Sequence, residues 1–260
     1  MKISIVTITF NSEKTMRDTF ESVLSQSYRP LQYIIVDGLS SDSTMSVVEE
    51  YADRFAKAGI EYIYHSEKDY GISDAFNKGI QQADGDIIGI INSDDLLADN
   101  ALEILAREYE DGISIYYGNC IIFNDSSSDK YIAIPKTDLE RLRWSMGLYH
   151  PACFVKRTAY EQFGVFKTDL KYCMDRELLL RFYVNGASFK YIDAPLACYR
   201  EGGVNQKYYK KNLKEGTRIS VEYGMSAPKA YSLMYWKSLK QKIWRLIQAV
   251  GAEKFIHKKV

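Results

Sequence analysis

The sequence lacks several features that would assign it to a class at once. It has no run of about 18 apolar residues, so it is not predicted to span a membrane. Its four cysteines form no CxxC pair, which argues against a zinc knuckle or a redox motif. No signal peptide is recognisable at the first residues, so we expect reduced thiols and a cytoplasmic protein.

Net charge is also absent, because 34 basic residues balance 34 acidic ones. This balance argues against a generally basic nucleic-acid-binding protein. The zero is an average of two unlike parts: residues 229–260 carry a net charge of +7, and residues 1–228 carry −7. The sequence therefore predicts an acidic body with a basic C-terminal end.

The first 95 residues alternate between apolar segments typical of strands and amphipathic segments typical of helices. Runs rich in β-branched residues predict four buried strands, at Lys2–Phe10, Tyr33–Val36, Ile60–Tyr64 and Ile87–Ile91. Apolar residues at helical spacing fill the segments between these strands. Strand–helix alternation with short connections predicts a doubly wound α/β sheet.

The pattern becomes mixed after Asp95. A polar loop around 125–129 separates two predicted strands, Ile115–Phe123 and Lys130–Ile134. Helices are predicted near 137–145, 157–163 and 174–184, with a last strand near Ser188–Ile192. One α/β domain with a mixed C-terminal half is the simplest interpretation, followed by a helical tail from about residue 229.

Polar residues follow each of the four N-terminal strands. In a doubly wound sheet, ligands bind outside the carboxyl ends of the strands. The polar residues at those ends are Thr9, Asn11, Asp37, Glu67, Asp69, Asp94 and Asp95. We therefore expect these side chains to converge on one site.

Asp94 and Asp95 are adjacent carboxylates at the end of a buried strand. The two negative charges repel each other, and a divalent cation such as Mg²⁺ or Mn²⁺ offsets this repulsion. The chain has no GxGxxG after its first strand and no GxxxxGK[ST], so a nucleotide diphosphate would need a metal and basic side chains for neutralisation. A loop in which these residues only cap a helix is the alternative.

Short motifs occur in a characteristic order over roughly residues 1–205. They are Ser4–Asn11, Gln26–Tyr28, Tyr33–Gly38, Ser41–Thr44, Glu67–Gly79, Asn92–Asp95, His150–Pro151, Gly164–Phe166, Met174–Leu178 and Tyr199–Arg200. In this order they resemble the inverting family-2 glycosyltransferases of the GT-A fold, especially bacterial enzymes that build capsule, exopolysaccharide or O-antigen. The resemblance implies a Rossmann-like, mostly parallel central sheet flanked by helices, with a nucleotide-binding half at about 1–95 and an acceptor half at about 96–228.

The resemblance also implies roles for individual residues. Contacts with the nucleotide or the sugar donor are implied for Thr9, Asn11, Asp37, Asp69, Asp74, Asp94 and Arg200. Asp95 would ligate Mg²⁺ or Mn²⁺, with Asp94 on the metal or on the ribose. The family's Asp-any-Asp pattern begins here with Ser93, so the number of carboxylate ligands stays open.

Asp175 matches the catalytic base of the family that the sequence resembles. Inversion needs a base that removes the acceptor hydroxyl's proton on the side opposite the leaving diphosphate. Glu177 is the alternative, but it lies roughly 200° further round a helix and cannot face the same site equally. Capping of the predicted helix by Asp175 is compatible with catalysis.

Three basic residues have open assignments. Arg200 precedes Glu201-Gly202-Gly203, and its guanidinium could bind the diphosphate or lie on the surface. His150 could be a metal ligand, an acceptor contact or a structural histidine. Lys78 could reach a phosphate or remain a solvated helix residue.

The basic end is predicted to form an amphipathic helix. Apolar residues recur at three and four spacing at Leu233, Trp236, Leu239, Ile243, Ile247 and Val250. The opposite arc carries Lys237, Gln241, Arg245 and Gln248. The helix could pack on the catalytic domain, or it could contact an anionic membrane from its cytoplasmic side through Trp236 and Trp244.

The resemblance predicts a metal-dependent, inverting transfer of sugar from a nucleotide diphosphate, UDP by analogy, to a glycan or lipid-linked acceptor in bacterial surface polysaccharide synthesis. A nucleotidyltransferase is an alternative, although the expected basic, Gly-rich loop after the first strand is missing. A non-catalytic sugar-nucleotide-binding module is another, which activity alone distinguishes. The sugar donor, the acceptor, the linkage and the oligomeric state are not predicted, and no nucleic-acid partner is expected.

Overall fold

The computed structural model describes the backbone of residues 1–126, 129–201 and 208–249, with side chains up to Ile243. The strands of this part are β1 (Ile3–Thr9), β2 (Leu31–Asp37), β3 (Ile60–Ser66), β4 (Ile87–Ile90), β5 (Leu96–Leu97), β6 (Ile115–Phe123), β7 (Lys130–Ala133), β8 (Cys153–Lys156) and β9 (Phe189–Arg200). They form one sheet in the order β3-β2-β1-β4-β8-β6-β9-β5, with β7 paired to β6. The pairs among β1 to β4 are parallel, whereas the rest of the sheet is mixed.

Helices cover both faces of this sheet. They are α1 (Met16–Leu24), α2 (Thr44–Glu50), α3 (Ala52–Lys57), α4 (Ile72–Gln82), α5 (Ala101–Arg107), α6 (Arg157–Phe163), α7 (Met174–Val184), α8 (Tyr209–Glu222) and α9 (Ala227–Ala249). Two short 3₁₀ turns lie at Leu139–Arg143 and His150–Ala152. In the described part no helix is long and apolar enough to cross a membrane.

The two faces of the sheet belong to two separate apolar cores. Successive side chains of a strand point to opposite faces, so Ile5 joins one core and Val6 the other. Tyr33 and Ile34 on β2 divide in the same way. Helices α1, α2, α3 and α5 cover the first core, and α4, α6 and α7 cover the second. Because both faces are covered, β1 and β2 are buried almost throughout.

The predicted α/β fold is confirmed. The first four strands were predicted to within two residues at each end. The mixed C-terminal half is present as well, with β6 and β7 antiparallel on either side of the polar loop. The last strand is longer than predicted, because it runs to Arg200 rather than ending near residue 192.

The helix predicted near 137–145 is wrong. Only a five-residue 3₁₀ turn forms there, and the side chain of Asp138 caps it by accepting a hydrogen bond from the N–H of Glu140. Leu142 is the buried residue of this turn. A single buried apolar side chain does not form the continuous stripe that holds a longer helix against a core.

The C-terminal helices pack on each other beside α7. Helix α8 was not predicted, since its sequence is largely polar and only Thr217, Ile219 and Ser220 are buried. Helix α9 begins at Ala227, close to the predicted start of the tail, and the Tyr209 hydroxyl of α8 donates to the Lys237 carbonyl over 3.2 Å. The predictions for Trp244, Arg245, Ile247, Gln248 and Val250 fall on side chains outside the described part.

Candidate active site

The carboxyl ends of β1 and β2 lie side by side, and their last residues, Thr9 and Asp37, are partners in the parallel register. The Thr9 hydroxyl oxygen is buried and has no hydrogen-bond partner among the described residues. A buried hydroxyl without a partner is costly unless something else satisfies it. Thr9 is therefore available for a ligand at this edge of the sheet.

The Asp37 carboxylate is buried and already bound by protein groups. It accepts hydrogen bonds from the Ser40 N–H (2.9 Å), the Ser40 hydroxyl (2.5 Å) and the Ser66 hydroxyl (2.5 Å). A carboxylate offers about four acceptor positions, so one position is left for a ribose or base. Asp37 thus also fixes the loop after β2 against the end of β3.

Asn11 shapes the same loop from the side of β1. Its backbone is in the left-handed region at φ 52°, a conformation that Asn tolerates better than most residues. Its side-chain oxygen accepts from the Ser41 N–H over 2.8 Å, and its own N–H donates to the Ser40 hydroxyl over 2.8 Å. Asn11 therefore joins the ends of two neighbouring strands.

Asp69 and Asp74 organise the turn that leads into α4. Asp69 accepts from the Gly71 N–H over 2.9 Å, and Asp74 accepts from the Tyr70 N–H over 3.1 Å. Lys78 lies 3.5 Å from the Asp74 carboxylate and donates to the Lys68 carbonyl over 2.7 Å. Lys78 thus stabilises the turn in this structure, and its possible contact with a phosphate stays a prediction.

Asp94 and Asp95 follow β4, where Asp95 is buried and Asp94 is half-buried. Burial raises the pKa of Asp95 to about 7, and the neighbouring charge of Asp94 adds to this effect. Burial also raises the pKa of Asp94. Asp95 accepts hydrogen bonds from Asn92 (2.9 Å) and from the Arg200 N–H (3.1 Å), which fix its orientation without removing the repulsion.

This pair fits a divalent cation that also binds substrate phosphates. No three His, Cys, Asp or Glu side chains converge on a single point within the described ranges. Mg²⁺ usually takes only one or two protein carboxylates and completes its shell with water and phosphate oxygens. Asp94 and Asp95 supply that number, and a cation would restore the charge balance that their raised pKa values report.

Arg200 is held by protein groups rather than pointing into open space. Its guanidinium pairs with Asp18 over 2.9 Å and with Asp125, and its Nε donates to the Asp94 carbonyl over 2.9 Å. It also lies over the Phe123 ring, 4.7 Å from the centroid. Its contacts therefore anchor the Asp94–Asp95 loop, while its predicted contact with the diphosphate stays a prediction.

The two carboxylates at the start of α7 have different surroundings. Glu177 is completely buried and pairs with Arg181 (3.0 Å) and Lys167 (3.1 Å). Asp175 instead lines a cavity of about 270 Å³ between α7, α8 and α9. Of the two candidates for the base, only Asp175 faces a space that a substrate could enter.

Tyr199 lies near the end of β9 and is half-buried. Its pKa is raised by burial and, in turn, by the charges of Asp95, Asp94 and Asp175. The charges of the adjacent Asp94 and Asp95 and of the distant Asp175 therefore all act on one phenol. Tyr199 was part of a quoted motif but received no role from the sequence.

His150 lies on the Asp175 side of this arrangement. Its ring is buried between Phe76 and Phe166, with ring centroids 5.7 Å away in each case. Burial lowers the pKa of His150, and the negative charge of Asp175 opposes this change. Burial therefore disfavours the protonated form of this imidazole.

Sequence reasoning missed the basic lining of the cavity next to Asp175. Arg176 and Lys237 both border it. Lys237 was placed on the arc of its helix away from the apolar residues, but α9 turns Leu233, Met234 and Lys237 toward the cavity. The signal available in the sequence was Arg176 itself, a basic residue between Asp175 and Glu177 at the start of α7.

Comparisons with known proteins agree with this fold. The mannosyltransferase PcManGT from Pyrobaculum calidifontis, solved with GDP-Man and Mn²⁺, superposes with a TM-score of 0.66 at 17% identity, over 90% of this chain and 68% of that chain. The likeness shows the GT-A fold, an α/β architecture used by glycosyltransferases.

Proteins of similar sequence are also glycosyltransferases. A PGL/p-HBAD biosynthesis glycosyltransferase of Mycobacterium bovis (strain BCG / Pasteur 1173P2) is 26% identical over 228 residues, covering 84% of this chain and 86% of the relative. The UDP-Glc:alpha-D-GlcNAc-diphosphoundecaprenol beta-1,3-glucosyltransferase WfgD of Escherichia coli is 30% identical over 164 residues, covering 62% and 63%. The model of the family "Glycosyl transferase family 2" matches residues 4–165, so the chain belongs to glycosyl transferase family 2.

Proposed function

We propose that this protein transfers a sugar from a nucleotide diphosphate, UDP in the first instance, to a hydroxyl of a lipid-linked sugar, with inversion at the anomeric carbon. Membership of the family supports sugar transfer over nucleotidyl transfer. The WfgD relative is named for a UDP-sugar and for an acceptor attached to diphosphoundecaprenol, which supports the choice of both substrates. Synthesis of a bacterial surface polysaccharide is the setting that this acceptor class implies.

Two features together carry the proposal: the mutually repelling Asp94–Asp95 pair after β4, and Asp175 at the border of a cavity. The pair lies at the end of β4, where a doubly wound sheet binds its ligand. Asp175 lies in the first turn of α7 and borders a cavity. A sugar donor on the sheet edge and an acceptor in the cavity would meet between these carboxylates.

Asp175 is proposed as the general base. Its carboxylate accepts the proton of the acceptor hydroxyl while the hydroxyl oxygen forms a bond to the anomeric carbon. The bond between that carbon and the diphosphate oxygen breaks on the opposite face, and the nucleoside diphosphate leaves. Because attack and departure occur on opposite faces, one displacement inverts the configuration.

The sugar donor is proposed to bind along the ends of the first strands. Thr9 offers its unpartnered hydroxyl, and Asp37 offers its remaining acceptor position to the ribose or base. Asn11, Asp69 and Asp74 hold the surrounding turns. This assignment corresponds to a nucleotide-binding half at about 1–95 and an acceptor half at about 96–228.

Asp94 and Asp95 would hold Mg²⁺ or Mn²⁺. A bound divalent cation supplies stabilisation of the negative charge that builds on the leaving diphosphate. In the chain itself, Asn92 and the backbone of Arg200 keep the Asp95 carboxylate in place. The solved mannosyltransferase PcManGT contains Mn²⁺, which supports the choice of ion.

A product assay tests the proposal. The purified full chain is incubated with UDP-, GDP- or dTDP-sugars and a short-chain lipid diphosphate sugar, with Mn²⁺ or with EDTA, and the product anomer is determined by NMR. We expect one nucleotide to support transfer, in Mn²⁺ only, with inverted configuration. Retained configuration, transfer that EDTA leaves unchanged, or nucleotide binding with no turnover would each contradict part of the proposal.

We also propose that α9 contacts the membrane that carries such an acceptor. One face of this helix exposes a stripe of large apolar side chains, formed by Tyr231, Tyr235, Trp236, Leu239 and Ile243. Tyr235 and Trp236 are 68% and 61% exposed. The net charge of +7 over residues 229–260 complements an anionic lipid surface.

Vesicle flotation tests this contact. The full chain is expected to float with vesicles containing phosphatidylglycerol and to remain at the bottom with neutral phosphatidylcholine alone. A Tyr235→Ser/Trp236→Ser/Leu239→Ser variant, which changes only exposed positions, should lose flotation while keeping its melting temperature. Flotation equal to that of the unchanged chain would show that the stripe does not bind lipid.

A further inference from the structure

The cavity beside Asp175 is unusual because its charged lining is mostly basic. It lies between the start of α7, residues 144–146 after the 3₁₀ turn Leu139–Arg143, and the two C-terminal helices. Arg176 and Lys237 line it together with Asp175, while Trp144, Leu233 and Met234 supply apolar walls. Its volume of about 270 Å³ is just below the roughly 300–1,000 Å³ of most ligand pockets, so it suits a small group rather than a whole glycan.

Arg176 is buried without a full set of partners. Arg176 is 4% exposed, and its Nε atom is buried with no hydrogen-bond partner in the described part. The other guanidinium nitrogens donate to neutral oxygens, the Ser220 hydroxyl at 3.5 Å and the Gly216 carbonyl. A buried cation that meets only neutral acceptors is costly, and an anion in the cavity would offset this cost.

Lys237 brings a second cation to the same cavity. Its ammonium group donates to the Trp144 carbonyl over 2.5 Å, again a neutral oxygen. Burial lowers the pKa of Lys237, and the positive charges of Arg176 and Arg141 contribute to the decrease. Arg141 also has a buried Nε with no hydrogen-bond partner among the described residues. Three like charges thus lie within reach of one another.

The nearby carboxylates do not neutralise this group. Glu215 accepts hydrogen bonds from the N–H groups of Tyr172 and Cys173, both over 2.7 Å, and is thereby committed to the start of α7. Asp175 accepts from the N–H of Arg176 over 2.7 Å. The negative charges of Asp175 and Glu215 favour the charged form of Arg176. Burial has the larger effect, however, and lowers the pKa of Arg176.

We propose that Arg176 and Lys237 bind the diphosphate that joins the acceptor sugar to its lipid. This inference rests on the proposed function, since it names the acceptor feature recognised beside Asp175. A guanidinium and an ammonium group are the side chains best suited to phosphate oxygens. The acceptor sugar then lies at Asp175, and the apolar walls receive the first part of the lipid chain. Arg141 adds positive charge nearby without lining the cavity.

The test compares two acceptors that differ only in phosphate. One is a sugar attached through a diphosphate to a short alkyl chain, and the other is the same sugar as a simple alkyl glycoside. Lys237→Gln is expected to raise KM for the diphosphate acceptor about tenfold, while KM for the glycoside and for the sugar donor stays unchanged. Lys229→Gln, which removes an exposed charge from the same helix, is the matched control and should leave all three values unchanged.

Arg176→Lys provides a second variant that keeps the charge but loses the planar guanidinium. This variant should raise KM for the diphosphate acceptor and leave KM for the glycoside unchanged. Its melting temperature shows whether the fold survives. Isothermal titration with inorganic pyrophosphate gives a readout without turnover: the unchanged chain should bind it, and Lys237→Gln should bind it about tenfold more weakly.

These readouts separate the failure of the inference from the failure of the proposed function. If no acceptor is glycosylated but titration of the diphosphate acceptor depends on Lys237, the binding site stands and the proposed reaction fails. Equal losses on both acceptors in Lys237→Gln would overturn the inference. So would Lys237-dependent binding of pyrophosphate by a protein that uses both acceptors equally, because the site would then take free phosphate only.

Discussion

Asp175 and Glu177 are two residues apart at the start of α7, yet their carboxylates lie in opposite environments. Glu177 is completely buried within an ion-pair network, whereas Asp175 borders the cavity. A rotation of roughly 200° along the helix separates the two side chains, as expected for this spacing. The geometry therefore divides two chemically similar residues into a structural one and a candidate catalytic one.

Replacement of Asp175 by Asn should stop chemistry without unfolding the protein. The amide keeps the size of the side chain but cannot accept the hydroxyl proton, and loss of a general base costs about 10²–10⁴-fold in rate. We expect kcat to fall by about 10³-fold, with the sugar-donor dissociation constant and the melting temperature nearly unchanged. Steady-state kinetics and nucleotide titration measure these quantities, and a rate within threefold of the unchanged enzyme would remove Asp175 from the role of base.

Replacement of Glu177 by Gln should have the converse effect. Its carboxylate pairs with Arg181 and Lys167 and accepts a hydrogen bond from the Tyr223 hydroxyl. Removing one partner of a buried ion pair leaves an uncompensated charge and costs about 3 kcal/mol or more. In a protein of this size we expect the melting temperature to fall by about 6 °C or more. Glu161→Gln, in an exposed pair with Arg157, is the control and should change the melting temperature little.

The same network predicts a dependence of stability on pH. Burial opposes ionisation of Glu177, but its hydrogen bonds to Arg181 and Tyr223 outweigh burial and lower its pKa below the usual 4.5. Its stabilising contribution is therefore complete above about pH 4.5 and is lost as the pH falls through the lower, folded-state pKa. Chemical denaturation between pH 3 and pH 6 should show a smaller acid-induced loss of stability in Glu177→Gln than in the unchanged chain.

Asp95 has the opposite pKa shift and gives the opposite prediction. Its pKa is raised to about 7, chiefly by burial, so the folded state binds this proton more tightly than the unfolded state. That contribution to stability is complete below the unfolded value of 3.8 and is lost as the pH rises through about 7. At pH 8 in EDTA, we expect Asp95→Asn to melt about 3 °C higher than the unchanged chain, because the neutral amide avoids burial of the charge.

Addition of Mn²⁺ should reverse the order of these melting temperatures. A cation that binds only the folded state raises its stability by mass action, and Asn is a poor substitute for a carboxylate ligand. The unchanged chain should gain stability in Mn²⁺ at pH 8, and Asp95→Asn should gain much less. Equal responses to Mn²⁺ in the two proteins would show that Asp95 does not hold the metal.

The parts of the fold that sequence predicted well are those with a local signal. The first four strands are buried on both faces, so their apolar runs were readable without knowledge of their neighbours. The strand-end carboxylates Asp94 and Asp95 followed from the same pattern. Helix α8 was not predicted because most of its side chains are polar, and its position depends on packing against α7 and α9.

The environment of each site residue was less predictable than its position. Lys237 was assigned to an outward arc from helical spacing alone, yet the choice of which face meets the body depends on the cavity that α9 covers. Trp236 and Leu239 remain exposed on the other face. For Arg200 the sequence left a diphosphate contact or a surface position open, and its pairing with Asp18, 182 residues away in the sequence, is a contact that spacing cannot show.

Arg200 provides a prediction that separates anchoring from phosphate binding. Its guanidinium joins Asp18 and Asp125 to the Asp94 carbonyl, so it holds the loop that carries Asp95. If this anchoring is its contribution, Asp18→Asn should loosen the loop and raise KM for the sugar donor by about three- to tenfold, with a smaller change in kcat. Its neighbour on α1, Arg17, forms an exposed pair with Glu50, and Arg17→Lys is the control.

If Arg200 binds the diphosphate instead, Asp18→Asn should have the opposite effect. A guanidinium that binds the diphosphate must leave its carboxylate partners, so removal of the Asp18 charge would free Arg200 and lower KM for the sugar donor. Kinetics of Asp18→Asn therefore discriminate by the sign of the change. Arg200→Lys should raise KM under either role, since the ammonium group cannot reach both carboxylates and the Asp94 carbonyl at once. A decrease in KM for Asp18→Asn would assign Arg200 to the phosphate, and an increase would assign it to the Asp95 loop.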